Sequence, residues 1–370
     1  MVSWCLCGRK IKVERPYMNT KISRIVIVFF ALSLIALLYF SFGSKKKVEL
    51  DSGYQLVMGT FARVVAIAED SSTAKKCIQI ALAEIRKVDE LMSDYKIDSE
   101  ISRINCDAYK APVKVSSPTF EVLTRSIEFS KLTGGAFDVT VGPLVDLFRS
   151  AQEKGVAPSK EQIAQTRLKV GYQKLKLDNQ NSTVTFSVDD MRLDLGGIAK
   201  GYAIDKAVEV MQQCGATGGM VDIGGDIRCF GAPPKHRKHW LIGLQDPNKT
   251  TDEFGMGESL LVLKLTDAAI ATSGGYRRFA LIEGKKYSHI IDTKTGYSSD
   301  QLASVTIISK NATNADALAT AVSVMGPEKG LALIEQLPQT EALLITLQPK
   351  LQLIKSSGAE KYINPDFQNR

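Results

Sequence analysis

The stretch RLDLGGIAKGY, residues 192–202, joins a short alternating strand to a helix through two adjacent glycines. We expect the strand to present Asp194 at its end, and the helix to open at Gly197, run to Gln213 and end at Gly215. A helix start offers unpaired N–H groups and the positive end of the helix dipole, so this turn predicts an anion site. Its spacing fits neither the GxxxxGK nor the GxGxxG phosphate motif.

Two further segments carry residues suited to binding a phosphate and a metal. Lys200 lies in the first turn of the predicted helix, where a cation is unfavourable unless an anion is nearby. Asp316 and Thr320 are four residues apart in an Ala-rich segment, so they share a helix face, and this oxygen pair suits a hard cation such as Mg²⁺. The plainer alternatives are a solvated lysine and an ordinary first-turn aspartate.

One of the three histidines is a candidate general acid or base. His236 and His239 lie in the basic loop PPKHRKHW, where we expect them to be solvated. His289 lies in SHIIDTKTG, at a predicted strand end and before a turn, and its ordinary pKa suits proton transfer near neutral pH. The alternative is a structural histidine that bonds the turn.

Glycine pairs recur along the chain, beginning at residues 134, 196, 218, 224 and 274. Such a pair allows positive φ and lets another group approach the backbone closely. Each alone is read as a tight turn, but together they predict a glycine-lined cleft. Four of the five adjoin polar residues that could reach a ligand: Asp138, Asp194 with Lys200, Asp226, and Arg277 with Arg278.

Helical and strand patterns alternate along the chain, hairpin signals are frequent and strict βαβ spacing is absent. These features predict an α+β fold with a mixed, mainly antiparallel sheet and flanking helices. The expected elements are paired strands over 54–68 with a break at Gly59, helices over 72–95 and 117–134, a hairpin over 175–186, strands over 220–243, 260–266 and 278–282, a turn at Glu283-Gly284, a helix over 314–325 and another after Gly326-Pro327.

The N-terminus carries a membrane signal. Residues 25–43 are nineteen residues without a charge, about the length that crosses a bilayer. Six basic residues precede this run and three follow it, which predicts a cytoplasmic N-terminus and an exported remainder. The length favours an uncleaved anchor, while small Ser41 and Gly43 leave a cleaved signal peptide as the alternative. Met18 begins a typical export start, so residues 1–17 need not belong to the protein.

We therefore expect a basic cytoplasmic segment over 1–24, the anchor or signal over 25–43, one domain over 48–350 and a tail over 351–370. The composition, with 44% hydrophobic and 24% charged residues, is that of a globular chain. Much of the net charge of +7 lies in the N-terminal region, which gives no reason to expect nucleic-acid binding. The four cysteines of the exported part show no CxxC spacing, and a Cys214–Cys229 disulfide is the one pairing to consider.

Eight collinear motifs resemble the FAD:protein FMN transferase (ApbE) family over residues 52–350. They are MGTF from Met58, MSDYKIDSEISRIN from Met92, TGGAFDVTVGPL from Thr133, LDLGGIAKGYAID from Leu193, VDIGGDIRCFG from Val221, ATSGGYRRF from Ala271, SHIIDTKTG from Ser288 and NADALATAV from Asn314. Asp292-Thr293 stands where many members have Asp-Pro, which affects the rigidity of that turn.

The resemblance implies a one-domain enzyme at the outer face of the bacterial inner membrane that binds FAD and Mg²⁺. Such enzymes transfer FMN from FAD to a Thr or Ser hydroxyl of a target protein as a phosphoester and release AMP; typical targets are subunits of Na⁺-pumping quinone reductase or Rnf-type complexes. The matching positions are Met58, Tyr95, Ala136, Phe137, Asp138, Asp194, Lys200 and the backbone near Ile290 for FAD, the Gly197 carbonyl, Asp316 and Thr320 for Mg²⁺, and His289 for the hydroxyl proton.

Two other functions fit the same residues. An FAD pyrophosphatase would use water in place of the acceptor hydroxyl at the same metal. A flavin-binding or flavin-storing protein would bind without turnover, although His289 with Asp316 and Thr320 argues against it because binding alone needs no base.

Overall fold

The computed structural model describes residues 47–231, 233, 237–247, 258–274, 279–347 and 352–367. The expected cytoplasmic segment (1–24) and membrane segment (25–43) lie outside these residues, as do His236, Arg277 and Arg278. The part from Lys47 onward forms one structural unit.

Sixteen strands are present in the described residues. They are β1 (Val48–Asp51), β2 (Gln55–Val57), β3 (Thr60–Ala68), β4 (Val113–Lys114), β5 (Leu175–Asp178), β6 (Thr183–Phe186), β7 (Gly218–Ile223), β8 (Asp226–Phe230), β9 (Trp240–Gln245), β10 (Ser259–Leu265), β11 (Ala268–Gly274), β12 (Phe279–Ile282), β13 (Lys285–Ser288), β14 (Leu302–Ser309), β15 (Glu341–Thr346) and β16 (Leu353–Lys355).

The central sheet has nine strands in the order β1-β3-β7-β8-β11-β14-β15-β16, with β2 paired to β3. Every strand pair among the described residues is antiparallel, so the expected mixed sheet is corrected to an antiparallel one. Two-residue turns join β2 to β3 and β7 to β8, and because such turns reverse the chain, these two pairs must be antiparallel.

Seven α-helices accompany the strands in the described part: α1 (Ser71–Met92), α2 (Glu100–Asp107), α3 (Ser117–Leu132), α4 (Gly142–Lys154), α5 (Lys160–Arg167), α6 (Ala199–Gln213) and α7 (Ala312–Ile334). Helices α1, α6 and α7 cover one face of the sheet, where Val64, Val221 and Val305 point. The β9–β10 ribbon covers the opposite face, where Val65, Met220 and Ile308 point. The alternation of strand side chains thus gives the sheet two buried faces.

Most of the expected elements are confirmed, including the hairpin turn at Met58-Gly59 and helix α1. Helix α6 ends at Gln213 as expected, but it begins at Ala199 rather than at Gly197. Helix α7 continues through a kink at Gly326, whose φ is +77°. Among the described residues, this helix is long and apolar enough to cross a membrane, but half of its most apolar 18-residue segment is buried within the protein.

Two expectations are corrected. The alternating stretch before Gly196 is not a strand, because the side chain of Asn105 donates to the Leu193 carbonyl (3.1 Å) and accepts from its amide (2.7 Å) in place of a neighbouring strand. The residues expected to form a tail include strand β16, and Ile363 is buried against the ribbon, so the domain extends beyond residue 350.

Candidate active site

Glycine-rich turns gather at one end of the central sheet. Strand β3 begins and β7 ends there, since Ala62 pairs with Ile223. The Met58-Gly59 turn and the Gly224-Gly225 turn both have positive φ. The amide of Gly224 donates to the Phe61 carbonyl (2.9 Å), so the two turns lie side by side. Met58 is strained in this conformation, which is common at ligand sites.

Gly197, Asp316 and Thr320 are brought together beside this end of the sheet. A Cβ at Gly197 would lie 2.8 Å from Thr320 Oγ1 and 3.3 Å from a ring carbon of Phe137, so only glycine fits there. Thr320 Oγ1 is 3.4 Å from Ser273 Oγ, near the end of β11. The hydroxyls of Thr320 and Ser273 thus lie beside the Gly197 backbone.

Lys200 pairs with two buried carboxylates. Its ammonium contacts Asp226 and lies 3.5 Å from Asp316 Oδ1, and 28% of its side chain is exposed. Asp226 is only 3% exposed at its side chain, and its Oδ1 accepts the Thr272 amide (3.1 Å). Lys200 is therefore a mostly buried, ion-paired lysine rather than a solvated surface lysine.

The pairing shifts the ionisation of these groups. Burial lowers the pKa of Lys200, but the attraction of Asp226 and Asp316 outweighs it and leaves the pKa well above its ordinary value. Burial raises the pKa of Asp316 to about 6, against the opposing effect of Lys200. Two carboxylates and one ammonium leave one negative charge in the ionised site.

This residue set fits a magnesium ion. The donors are all oxygens, which Mg²⁺ prefers, and Mg²⁺ usually takes one or two carboxylates with waters or phosphate oxygens completing its shell. The residual negative charge of the Lys200, Asp226 and Asp316 group is consistent with such an ion. Among the described residues no group of three or more His, Cys, Asp or Glu side chains could hold a metal, so the set depends on Asp316, hydroxyls and a carbonyl.

The loop of Ala136, Phe137 and Asp138 is buried beside Gly197. Asp138 accepts from the amide (2.9 Å) and hydroxyl (2.7 Å) of Thr140 and from the amide of Tyr172 (2.8 Å). Burial raises the pKa of Asp138, and these hydrogen bonds oppose the rise. The Asp138 carboxylate therefore stabilises the conformation of this loop.

Tyr95 and Asp194 lie in a second polar region. Tyr95 is 80% exposed, and the Arg149 guanidinium lies 5.3 Å from the centre of its ring and donates to its hydroxyl (3.1 Å). Asp194 accepts the Gly196 amide (2.7 Å), which forms the turn before α6. Burial and the nearby charge of Asp194 raise the pKa of Asp94, so Asp194 lies close to the Tyr95 segment.

His289 follows β13 and is exposed. The next residue, Ile290, donates to Ser288 Oγ (3.1 Å) and accepts from the Ser299 amide (2.8 Å). The Ser299 hydroxyl donates to the Ser323 carbonyl on α7. The Thr293 hydroxyl donates to the Gly135 carbonyl (3.2 Å). The His289 turn is thus tied to the helix of Asp316 and to the loop of Phe137.

Asp226 was noted from the sequence only as a polar residue that follows a glycine pair, and its pairing with Lys200 was not predicted. Ser273 was not singled out at all, although it lies directly before Gly274 and that position was the available signal. A groove of about 390 Å³ that includes Asp267, Ser309 and Lys310 lies at the opposite end of β11 and β14 and contains none of the predicted residues.

The profile of the ApbE family matches residues 58–344. The chain belongs to the ApbE family. A Haemophilus influenzae relative, named FAD:protein FMN transferase, is 36% identical over 86% of this chain and 91% of its own length. A Vibrio cholerae relative of the same name is 34% identical over 84% of this chain and 89% of its own length.

Solved structures agree with the ApbE assignment. The flavin transferase ApbE from Vibrio cholerae has a TM-score of 0.72 at 31% identity, covering 85% of this chain and 99% of that one. The ApbE protein from Thermotoga maritima has a TM-score of 0.74 at 29% identity, with 86% and 99% covered. The ApbE match includes every residue of the candidate active site from Met58 to Thr320.

Proposed function

We propose that this chain is an FAD:protein FMN transferase that uses Mg²⁺ to move FMN from FAD onto a Thr or Ser hydroxyl of an acceptor protein, releasing AMP. The observation that carries the proposal is the meeting of Gly197, Lys200, Asp316 and Thr320 within the region that matches the family. This arrangement combines a fixed cation with an oxygen set for a second cation, as transfer from a pyrophosphate requires.

Bound Mg²⁺ would neutralise negative charge on the pyrophosphate of FAD. Asp316, Thr320 and the Gly197 carbonyl would hold it. Lys200 would attract the same pyrophosphate, and Asp226 keeps its ammonium at the site in the protein alone. The remaining FAD contacts in this proposal are Met58, Tyr95, Ala136, Phe137, Asp138, Asp194 and the backbone of Ile290.

His289 would accept the proton of the acceptor hydroxyl. The hydroxyl oxygen then bonds to the phosphorus on the FMN side, the bond from that phosphorus to the bridging oxygen breaks, and AMP leaves. The exposure of His289 supports this role, because an acceptor protein must reach the base from outside. Asp316 instead is buried, which suits a group that does not have to meet the acceptor protein.

The proposal extends to partners and location. The acceptor is a protein with a Thr or Ser flavinylation site, of the kind found in Na⁺-pumping quinone reductase or Rnf-type subunits. Residues 25–43 would anchor the enzyme in the inner membrane with the catalytic domain on the outer side. The length of the apolar run and the basic excess before it support this topology.

Incubation of the full-length chain with FAD, Mg²⁺ and a fragment of a candidate acceptor tests the activity. We expect flavin fluorescence on the acceptor in a gel, together with AMP. AMP without a labelled acceptor would favour an FAD pyrophosphatase. Bound FAD with neither product would favour a storage protein. Asp316→Ala is expected to weaken the dependence on Mg²⁺, and an unchanged response would refute its assignment as a ligand.

A further inference from the structure

Asp205 is a buried carboxylate that does not belong to the candidate active site. It lies on α6, five residues after Lys200, and is 6% exposed. Buried carboxylates are costly unless their oxygens are fully paired, so its partners show what it is used for.

The partners of Asp205 lie at the start of α7. Its Oδ1 accepts the Ala312 amide (2.9 Å), and its Oδ2 accepts both the amide (2.8 Å) and the hydroxyl (2.6 Å) of Thr313. The first amides of a helix have no partner within the helix, and a negative charge there is stabilised by the helix dipole. Asp205 therefore caps α7 from a neighbouring helix, while Asn311 caps it from within by accepting the Asn314 amide (2.8 Å).

Arg228 on β8 completes this cluster. Its Nη1 donates to Asp205 Oδ1 (2.8 Å), which balances the buried charge. Asp226 and Arg228 are two residues apart on one strand and so point to the same face of the sheet. The cluster of Asp205, Arg228 and Thr313 thus joins the same three elements, α6, β8 and α7, that carry Lys200, Asp226 and Asp316.

Close packing joins the cluster of Asp205, Arg228 and Thr313 to the group of Lys200, Asp226 and Asp316. The Gly201 amide donates to Asp316 Oδ2 (3.0 Å), and a Cβ at Gly201 would lie 2.3 Å from the Ala312 carbonyl oxygen. A shift of the α7 start would therefore move Asp316 relative to Gly197 and Lys200.

We propose that Asp205 is a positioning residue for the metal site, which holds α7 against α6 so that Asp316 and Thr320 face the Gly197 carbonyl. This inference rests on the proposed function for the identity of the metal. Residues that orient metal ligands typically change metal affinity by about 10- to 100-fold when substituted.

Binding of Mn²⁺ alone to the full-length chain, followed by its electron paramagnetic resonance signal, tests the proposal without requiring turnover. We expect Asp205→Asn to raise the Kd for Mn²⁺ about tenfold or more. Asn311→Ala is the matched control, since it removes a cap from the same helix end but keeps the tie to α6. It is expected to lower Tm while changing the Kd by less than about twofold.

Thr313→Val covers the case in which Asp205→Asn does not fold, because it removes one hydroxyl and leaves the Asp205–Arg228 pair intact. We expect it to raise the Kd for Mn²⁺ about threefold or more, and Thr313→Ser, which restores the hydroxyl, to return the Kd to the wild-type value. Equal effects of Asn311→Ala and the Asp205 and Thr313 variants would overturn the positioning role.

The same experiment separates this inference from the proposed function. A wild-type chain that binds no Mn²⁺ would overturn both the metal assignment and the positioning role. Weakened Mn²⁺ binding in Asp205→Asn, in a chain that transfers no flavin, would support the positioning role while the transferase proposal fails.

Discussion

At the scale of single residues, His289 and His239 provide a matched pair. Both are exposed, but His289 lies at the turn tied to α7, whereas His239 Nδ1 is 2.9 Å from Thr266 Oγ1 at the other end of the sheet. His289→Ala is expected to abolish flavin transfer while leaving the Kd for FAD within about tenfold, because only the base is lost. In-gel fluorescence and FAD titration measure the two quantities.

His239→Ala should leave both quantities unchanged. A large loss of FAD affinity in His289→Ala would instead make His289 a structural residue of its turn.

As a proposed metal ligand, Asp316 is expected to make metal binding depend on pH. A ligand carboxylate must be ionised, and burial raises the pKa of Asp316 to about 6. We therefore expect the Kd for Mg²⁺ to be about tenfold higher at pH 5.0 than at pH 7.5, as calorimetry can measure. Asp316→Asn should bind weakly at both pH values, and an equally strong pH dependence in that variant would assign the titration to another group.

The raised pKa of Asp316 also makes the free energy of unfolding depend on pH. The pKa of Asp316 is higher in the folded chain than its ordinary value of 3.8, so the folded state binds this proton more tightly than the unfolded state. Without metal, Asp316 therefore makes the free energy of unfolding fall as the pH rises from about 4 to about 6.

At the scale of secondary structure, the contact between α6 and α7 depends on Gly201. Alanine would favour an isolated helix by about 1 kcal/mol. Its Cβ would however meet the Ala312 backbone, which cannot move aside as a side chain can. Gly201→Ala is expected to destabilise the protein by about 1–3 kcal/mol, measured by denaturant unfolding. Gln212→Ala on the exposed side of α6 should stay within about 0.5 kcal/mol of wild type.

Elements with one buried face could be predicted from the sequence, and elements with weaker patterns could not. Cys77, Ala81 and Ile85 follow a helical period because α1 covers the sheet with one side. Helix α4 begins with Gly142-Pro143, which resembles a break in the sequence but is compatible with a helix start. The stretch ending at Leu195 alternates like a strand, yet its partner is a side chain, Asn105, 88 residues away.

The candidate site likewise combines residues that could be predicted from the sequence with a contact that could not. Gly197, Asp316 and Thr320 stand in recognisable local motifs, so each could be singled out from sequence. The pairing of Lys200 with Asp226 depends on β8 lying beneath the start of α6, and the order of strands in the sheet has no local signature.

At the scale of the whole molecule, labelling of the cysteines can test on which side of a membrane the domain lies. The described cysteines are all free, so the Cys214–Cys229 disulfide considered from the sequence is not formed. Cys106 is exposed, whereas Cys77 and Cys229 are buried and burial raises the pKa of Cys77 to about 12. We expect a membrane-impermeant maleimide to label Cys106 in spheroplasts if the domain lies outside.

The Cys106→Ser variant should lose most of this labelling. Labelling that appears only after lysis would contradict the proposed topology.

The contact between Gly201 and Asp316 spans 115 residues of sequence. During synthesis from the N-terminus, Gly201 is therefore made well before Asp316. A chain that ends before Asp316 cannot form this contact, and such long-range contacts form late in folding. A chain released before Asp316 is made would lack two of the proposed metal ligands, and we expect it to transfer no flavin.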